Sequence, residues 1–252
     1  MSWSYDQIAG VYASDMGASM PFDDVGFYRR ACAQRGGAVL ELGCGTGRVL
    51  LPLLDARIDA TGVDRSLPML QQLRSDATTR GIDAPRVAQM DLRALALRGR
   101  FATILMPYSL ATYVTDAADL ARLLRELHAR LVSGGALVLD AFIPRPVATF
   151  TEFRRDYRRA HGGGYLEREK RITAHADGTN EIERRYRILR ADDSLIHEFT
   201  TRERIRPYTS AALGEAARSA GFFVESVVHD YGERREGAAP QFATLLCRAG
   251  RA

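Results

Sequence analysis

The stretch Glu41-Leu42-Gly43-Cys44-Gly45-Thr46-Gly47 follows the start of an apolar run at residue 38. It has a glycine at every second position from 43 to 47. A short apolar run that leads into a helical pattern predicts a buried strand followed by a helix, here expected over residues 47–56. Glycine allows a tight turn and lets the backbone lie against a ligand where a Cβ would intrude. The start of the helix would add free N–H groups and the positive end of its dipole. The stretch therefore predicts a ligand-binding loop in an α/β fold.

Two phosphate ligands compete for a loop of this kind. A dinucleotide fingerprint needs Gly or Ala three residues after Gly45, but the sequence has Arg48 there. A nucleotide phosphate loop needs Gly-Lys-Ser or Gly-Lys-Thr, and Lys170 is the only lysine in the chain. Neither phosphate ligand matches the sequence.

Acidic residues follow the next two predicted strands. Asp64 comes directly after residues 59–63, and Asp91 follows residues 86–89. Both acids therefore come at the end of a strand that feeds the same edge of a parallel sheet. A carboxylate in such a position can accept two hydrogen bonds from a bound ligand.

Taken together, these residues resemble the sequence motifs of class I S-adenosylmethionine methyltransferases. In that family the glycines approach the methionine part of the cofactor, and the acid at the position of Glu41 helps to position its ammonium group. Acids at the positions of Asp64 and Asp91 hold the ribose and the adenine amino group. The segment Ser66-Leu67-Pro68-Met69-Leu70 matches a family segment whose methionine lies near the adenine. The resemblance covers about residues 38–143 well and the rest in outline.

The resemblance implies S-adenosylmethionine as the cofactor and S-adenosylhomocysteine as the product. The residues that it places at the cofactor are Tyr12, Glu41, Gly43, Cys44, Gly45, Thr46, Gly47, Asp64, Arg65, Met69, Asp91, Leu92 and Met106.

The wider pattern predicts a doubly wound, mostly parallel seven-stranded sheet with a Rossmann-like methyltransferase fold. Its strands are predicted at residues 38–42, 59–63, 86–89, 101–106, 135–141, 222–229 and 241–247. Its helices are predicted at residues 47–56, 66–80, 116–131 and 210–220. We expect Ser133-Gly134-Gly135 to end the third of these helices.

Two segments fall outside this pattern. Residues 1–35 predict two or three short helices, which we interpret as a lid over the cofactor; simple packing of Tyr5 and Tyr12 is the alternative. Residues 144–207 predict an inserted antiparallel sheet, which would form the acceptor pocket or a homodimer contact. The α/β domain then comprises residues 36–143 and 208–252. The inserted strands are predicted at residues 165–174, 180–189 and 195–207.

The third inserted run places polar residues on its apolar face. His197 and Glu203 alternate there with Leu195, Phe199 and Ile205. Such a placement is costly unless these side chains bond to each other, to Arg184 or to a substrate, or reach water at the sheet edge.

The acceptor side has a weaker signal. Methyltransferases of nucleic-acid amines and of glutamine carry Asp or Asn before Pro-Pro-Tyr after the fourth strand, whereas this chain has Met106-Pro107-Tyr108-Ser109. This difference favours a small-molecule acceptor. An amine or hydroxyl acceptor must lose a proton, and the candidate catalytic residues are Tyr108, His197 and His229.

Composition restricts the partners. The formal charge of +4 comes from scattered arginines among 31 acidic residues, so we expect no nucleic-acid partner. Cys32, Cys44 and Cys247 lack metal-site spacing, no metal is needed for methyl transfer, and the cysteines suit a reducing cytoplasm. No signal-peptide pattern and no uninterrupted apolar run of ~20 residues occurs, so we expect a soluble, cytoplasmic protein.

The leading hypothesis is a small-molecule methyltransferase that acts on N or O by in-line transfer. A protein or RNA methyltransferase and a non-catalytic module that binds S-adenosylmethionine are the alternatives. Intact Asp64 and Asp91 speak against loss of cofactor binding, but they carry no information on turnover.

Overall fold

The structure, a computed structural model, describes residues 4–16, 20–144, 149–233 and 237–250. The chain divides into two compact units. We call Phe22–Pro144 with Tyr208–Ala252 the α/β unit, and Met1–Pro21 with Arg145–Pro207 the antiparallel unit. No helix within the described residues is long and apolar enough to cross a membrane.

Eleven strands and seven α-helices are assigned within the described residues. The strands are β1 (Val39–Leu42), β2 (Ala60–Asp64), β3 (Val87–Gln89), β4 (Phe101–Met106), β5 (Leu131–Phe142), β6 (Phe150–His161), β7 (Gly164–Ala174), β8 (Asn180–Leu189), β9 (Leu195–Ile205), β10 (Phe222–His229) and β11 (Phe242–Ala249). The helices are α1 (Ser4–Ile8), α2 (Tyr12–Met16), α3 (Asp24–Arg35), α4 (Leu50–Asp55), α5 (Leu67–Thr79), α6 (Ala117–Ala129) and α7 (Ser210–Ser219).

The α/β unit contains a seven-stranded sheet in the order β10-β11-β5-β4-β1-β2-β3. All neighbours are parallel except β11, which runs antiparallel to both β5 and β10. Every residue of β1 is buried, as expected for a central strand covered on both faces. The chain passes outward from β1 to β3 and then returns to β4 on the other side of β1. This reversal opens a crevice at the carboxyl ends of β1 and β4, where such sheets bind ligands.

The predicted doubly wound fold is confirmed, with two helix boundaries that differ. Helix α4 begins at Leu50, three residues later than predicted, because the residues after Gly47 form further turns. Helix α6 ends at Ala129, so the prediction that Ser133-Gly134-Gly135 would end it is wrong. Leu131 already pairs with Phe101, and the glycines lie inside β5 where its register against β4 shifts.

The antiparallel unit contains the sheet β6-β7-β8-β9. Sequence analysis predicted its last three strands and missed β6. Arginines at positions 154, 155, 158 and 159 hide any period-two apolar pattern in this strand. The strand pairs antiparallel with β7, and both Arg155 and Arg158 reach Glu167 of β7. Gly162 and Gly163, at φ +55° and +78°, form the hairpin turn.

The expected N-terminal segment of residues 1–35 is divided between the two units. Helix α3 belongs to the α/β unit, where Asp24 accepts two hydrogen bonds from Arg48 at 2.9 and 2.7 Å. Helices α1 and α2 belong to the antiparallel unit. Asp15 of α2 is buried there and bonds Arg168 at 2.5 Å and the hydroxyl of Tyr157. The role of residues 1–35 as a lid stays a prediction.

The polar residues on the inner face of β9 have different surroundings. Glu203 is buried and pairs with Arg184 at 2.6 Å. The free-energy cost of burying the Glu203 carboxylate is therefore offset by an ion pair that the sequence suggested. His197 is exposed and stacks on Phe199 with ring centroids 5.5 Å apart.

Candidate active site

The glycine loop joins β1 to α4 and is packed on two sides. Gly43, Gly45 and Gly47 have φ values of +65°, +52° and +89°, which side chains rarely adopt. A Cβ on Gly43 would lie 2.8 Å from Leu110, and one on Gly47 would lie 2.7 Å from Leu51. A Cβ on Gly45 would meet nothing closer than the Gly43 carbonyl at 4.0 Å. The loop is therefore open at Gly45, where a ligand can reach the backbone.

Gly62, which the sequence analysis did not single out, lets the loop lie on β2. Cys44 donates its N–H to the Val63 carbonyl at 3.0 Å. A Cβ on Gly62 would stand 2.7 Å from the sulfur of Cys44. A lone glycine inside a predicted strand is the sequence signal for such a close approach.

Asp64 ends β2 beside the open part of the loop. Its Oδ2 accepts the N–H of Gly45 at 2.8 Å, and its Oδ1 accepts the N–H of Ser66 at 2.7 Å. Each carboxylate oxygen can accept more than one hydrogen bond, so these contacts orient the group and leave capacity for hydroxyl donors. The geometry suits the ribose role that the sequence predicts.

Glu41, the last residue but one of β1, is a buried carboxyl whose Oε2 has no hydrogen-bond partner. Burial raises its pKa to about 8, although Arg48 lowers it; Asp64 and Asp24 raise it further. A buried polar oxygen without a partner is costly, and an ammonium donor would satisfy it. The open backbone at Gly45 and the unpartnered oxygen of Glu41 fit the amino-acid end of S-adenosylmethionine.

Asp91 lies after β3 and is engaged by arginine. The side chain of Arg93 donates to both carboxylate oxygens, at 3.0 and 2.7 Å, and Arg65 lies 3.5 Å away. These hydrogen bonds lower the pKa of Asp91 to about 2, so the group is a carboxylate. An adenine amino group would share this acceptor with Arg93. The adenine role stays a prediction.

Besides Glu41, three residues of the predicted cofactor set have buried side chains. Cys44, Met69 and Met106 lie in the hydrophobic core. A ligand in the crevice would meet these residues through their backbone. Thr46 and Leu92 are half-buried and Arg65 is exposed, so their side chains reach the surface.

The turn after β4 forms the other wall of the crevice. Tyr108 and Ser109 both have left-handed backbones, at φ +52° and +55°. The Tyr108 ring is half-buried, 5.1 Å from the Phe142 ring and 5.7 Å from the guanidinium of Arg48. Leu110, in the same segment, lies against Gly43. Of the two candidate catalytic residues in the α/β unit, Tyr108 and His229, Tyr108 thus lies nearer the glycine loop.

Among the other candidates, His229 belongs to the same unit as these loops. His229 is exposed at the end of β10, four strands from β1, which is about 19 Å at ~4.8 Å per strand. His197 and Tyr12 belong to the antiparallel unit, where the Tyr12 ring packs edge-on against Tyr5 at 6.0 Å. Their proposed roles stay predictions. No group of three or more potential metal ligands occurs among the residues that the structure describes.

Fold and site together define a doubly wound α/β protein with a ligand crevice between β1 and β4. Residues 39–135 match the family model of a methyltransferase domain. The cypemycin N-terminal methyltransferase of Streptomyces sp is 30% identical over 173 residues, which is 67% of this chain and 66% of that relative. The alignment therefore spans about two thirds of the curated relative's length.

Solved structures share the fold across nearly the whole chain. The CcbJ methyltransferase from Streptomyces caelestis matches with a TM-score of 0.82 and 24% identity, covering 98% of each chain. A sugar N-methyltransferase from Streptoalloteichus sp matches with a TM-score of 0.73 and 21% identity, covering 96% of this chain and 92% of that one. Residues 39–135 therefore belong to the family of methyltransferase domains, and the chain has the fold of class I S-adenosylmethionine-dependent methyltransferases.

Proposed function

We propose that this chain transfers the methyl group of S-adenosylmethionine to an amine nitrogen of a small molecule. The observation that carries the cofactor part of the proposal is the buried, unpartnered oxygen of Glu41 together with the open backbone of Gly45. That pair of features fits the ammonium and carboxylate end of the cofactor. The names of two similar proteins, an N-terminal methyltransferase and a sugar N-methyltransferase, support an amine acceptor.

The residues of the crevice divide the work. The carboxyl of Glu41 accepts a hydrogen bond from the cofactor's ammonium group, and that of Asp64 accepts hydrogen bonds from the ribose hydroxyls. The Gly45 backbone lies along the methionine part of the cofactor. When bound, the cofactor would supply a methyl group that its positively charged sulfur activates. The amine lone pair would form the new N–C bond in line with the C–S bond, and sulfur would keep the electron pair of that bond. The protein's contribution is to align the acceptor and exclude water.

Tyr108 is the acceptor-side residue in this proposal. Its ring stands at the carboxyl end of β4, next to the strand that carries the glycine loop. An aromatic face attracts the positive charge that develops on an amine as it is methylated. A neutral amine attacks without a base, and the proton that the methylated ammonium loses afterwards passes to water.

An acceptor panel with labelled cofactor tests the proposal. The panel contains a methyl glycoside of an amino sugar, a short peptide with a free amino terminus, and matched controls in which a hydroxyl or an N-acetyl group replaces the amine. We expect label only in the free amines. Labelling of the hydroxyl sugar and not of the amino sugar would overturn the choice of nitrogen, and cofactor binding without turnover of any acceptor would favour a non-catalytic module.

A further inference from the structure

One buried carboxyl in the α/β unit has no part in cofactor binding. Asp140, on β5, is fully buried, and burial raises its pKa. Its Oδ2 accepts hydrogen bonds from the hydroxyl of Tyr28, the hydroxyl of Tyr231 at 2.7 Å and the N–H of Tyr108 at 3.0 Å. These three donors are neutral and come from α3, from the segment after β10 and from the turn after β4. Burying a carboxyl costs free energy that an apolar residue of similar size would avoid. An apolar residue, however, could not accept these three hydrogen bonds.

Through these hydrogen bonds the Asp140 carboxyl links the turn after β4 to α3 and to the segment after β10. Tyr108 and Ser109 adopt left-handed backbones although neither is glycine. Strained residues of this kind persist only where their surroundings determine them, and they gather at functional sites. The Tyr108 N–H is held by Asp140, and the Ser109 hydroxyl accepts the N–H of Phe142. The turn is fixed at two successive residues.

Tyr231 is held as firmly as the turn that it helps to fix. Asp230 and Tyr231 are also left-handed, at φ +46° and +58°. Asp230 accepts the N–H groups of Gln241 and Phe242, both at 2.8 Å, which ties this second turn to the start of β11. The Tyr231 ring packs at 5.5 to 5.9 Å from the rings of Phe27, Tyr28 and Phe242. Its hydroxyl therefore reaches Asp140 from a rigid position.

The result of this network is the placement of one ring at the crevice. Tyr108 presents a half-buried ring next to Phe142, which is 41% exposed. A change in its backbone angles would move the ring away from the glycine loop and from the acceptor. Misplacing a substrate-contacting group by ~1 Å can cost ~100-fold in rate.

We propose that Asp140, with the hydroxyls of Tyr28 and Tyr231, is a positioning residue for the acceptor, because it holds the Tyr108–Ser109 turn that presents the Tyr108 ring. The inference rests on the proposed amine methylation. It gives Asp140 no contact with the reacting atoms, and all of its influence on the acceptor passes through Tyr108.

A double-mutant cycle tests this route. We expect Asp140→Asn to lower kcat/KM about tenfold or more for whichever amine of the panel is methylated, mainly by raising its KM, and to change the Kd for S-adenosylmethionine less than twofold. In a Tyr108→Ala background, the same substitution should change kcat/KM less than twofold, because the two residues act as one unit. An equal loss in both backgrounds, or an equal loss of cofactor affinity, would overturn the inference.

Tyr231→Phe keeps the test decisive should Asp140→Asn fail to fold, because it leaves the carboxyl in place and removes one of its donors. We expect the same pattern with a smaller change, about threefold, together with faster amide hydrogen exchange at residues 108–110. Tyr208→Phe is the matched control, since it removes a hydroxyl that donates to the Val114 carbonyl at 2.6 Å in the same unit. If the two tyrosine variants behave alike, the role is structural. If the unaltered protein methylates none of the amines, the proposed function fails rather than the Asp140 network.

Discussion

The cofactor role that the sequence predicts for Glu41 fits the surroundings of this residue in the structure. The sequence places an acid at the end of the first strand, and the structure buries it with Oε2 unpartnered. Burial raises its pKa to about 8 from an ordinary value of 4.5. Between these two pH values the folded protein keeps a proton that the unfolded chain has lost, so this residue's contribution to stability declines as the pH rises through about 8.

Cofactor binding should therefore release a proton from Glu41. A cationic ammonium beside the carboxyl favours its charged form and lowers its pKa, while the cofactor's own amino group is mostly protonated at pH 7. We expect the release of close to one proton at pH 7. Above pH 9, where Glu41 is already ionised and the free cofactor's amino group has mostly lost its proton, we expect proton uptake instead. Calorimetry in two buffers with different ionisation enthalpies measures this number. In Glu41→Gln the release should vanish and the affinity should fall; tight binding to the unaltered protein with no dependence on buffer would rule out the role of Glu41.

Among the elements, the glycine loop was the easiest to predict, because its signal lies within seven consecutive residues. The remaining errors occurred where nonlocal contacts decided the structure. Strand β6 was missed because it carries arginines, two of which pair with Glu167 of β7, where apolar alternation would have indicated a strand. Helix α6 was drawn too long because Leu131 continues its apolar stripe, yet that side chain belongs to a strand paired with β4. Gly62 and Asp140 were overlooked because their importance depends on partners distant in sequence.

The glycine loop also supports a prediction with a closely matched control. Gly45 and Gly81 both have positive φ values, +52° and +70°, and a Cβ at either would meet no atom closer than 4.0 Å. Alanine should therefore cost a similar, small amount of stability at each position, about 1 kcal/mol. Only the Cβ at position 45 would enter the ligand crevice. We expect Gly45→Ala to weaken the binding of S-adenosylmethionine at least tenfold and Gly81→Ala to leave it unchanged, as measured by calorimetry. Equal affinity of the two variants would show that the cofactor does not approach Gly45.

At the scale of the whole molecule, the sequence predicted an α/β domain with an insertion, but it drew the N-terminal segment as one piece. The structure separates that segment by its charges. Asp24 of α3 pairs with Arg48 of the α/β unit, whereas Asp15 of α2 pairs with Arg168 of the antiparallel unit. Nothing in the local sequence distinguishes these two acids. Their partners lie 24 and 153 residues further along the chain, so only the folded structure reveals the division.

The division predicts that the antiparallel unit can be destabilised by itself. Asp15 is buried and bonded to Arg168, Tyr157 and Tyr186. Asp15→Asn removes the negative charge that pairs with the largely buried guanidinium of Arg168, so we expect the unit's free energy of unfolding to fall by about 3 kcal/mol. Hydrogen exchange followed by mass spectrometry should show faster exchange in α1, α2 and β6 to β9, while the seven-stranded sheet keeps its protection. Asp192→Asn is the control in the same unit, because that side chain is exposed in a turn, where it bonds Ser194. If Asp15→Asn speeds exchange equally in both sheets, the chain unfolds as one cooperative body and Asp15 supports all of it.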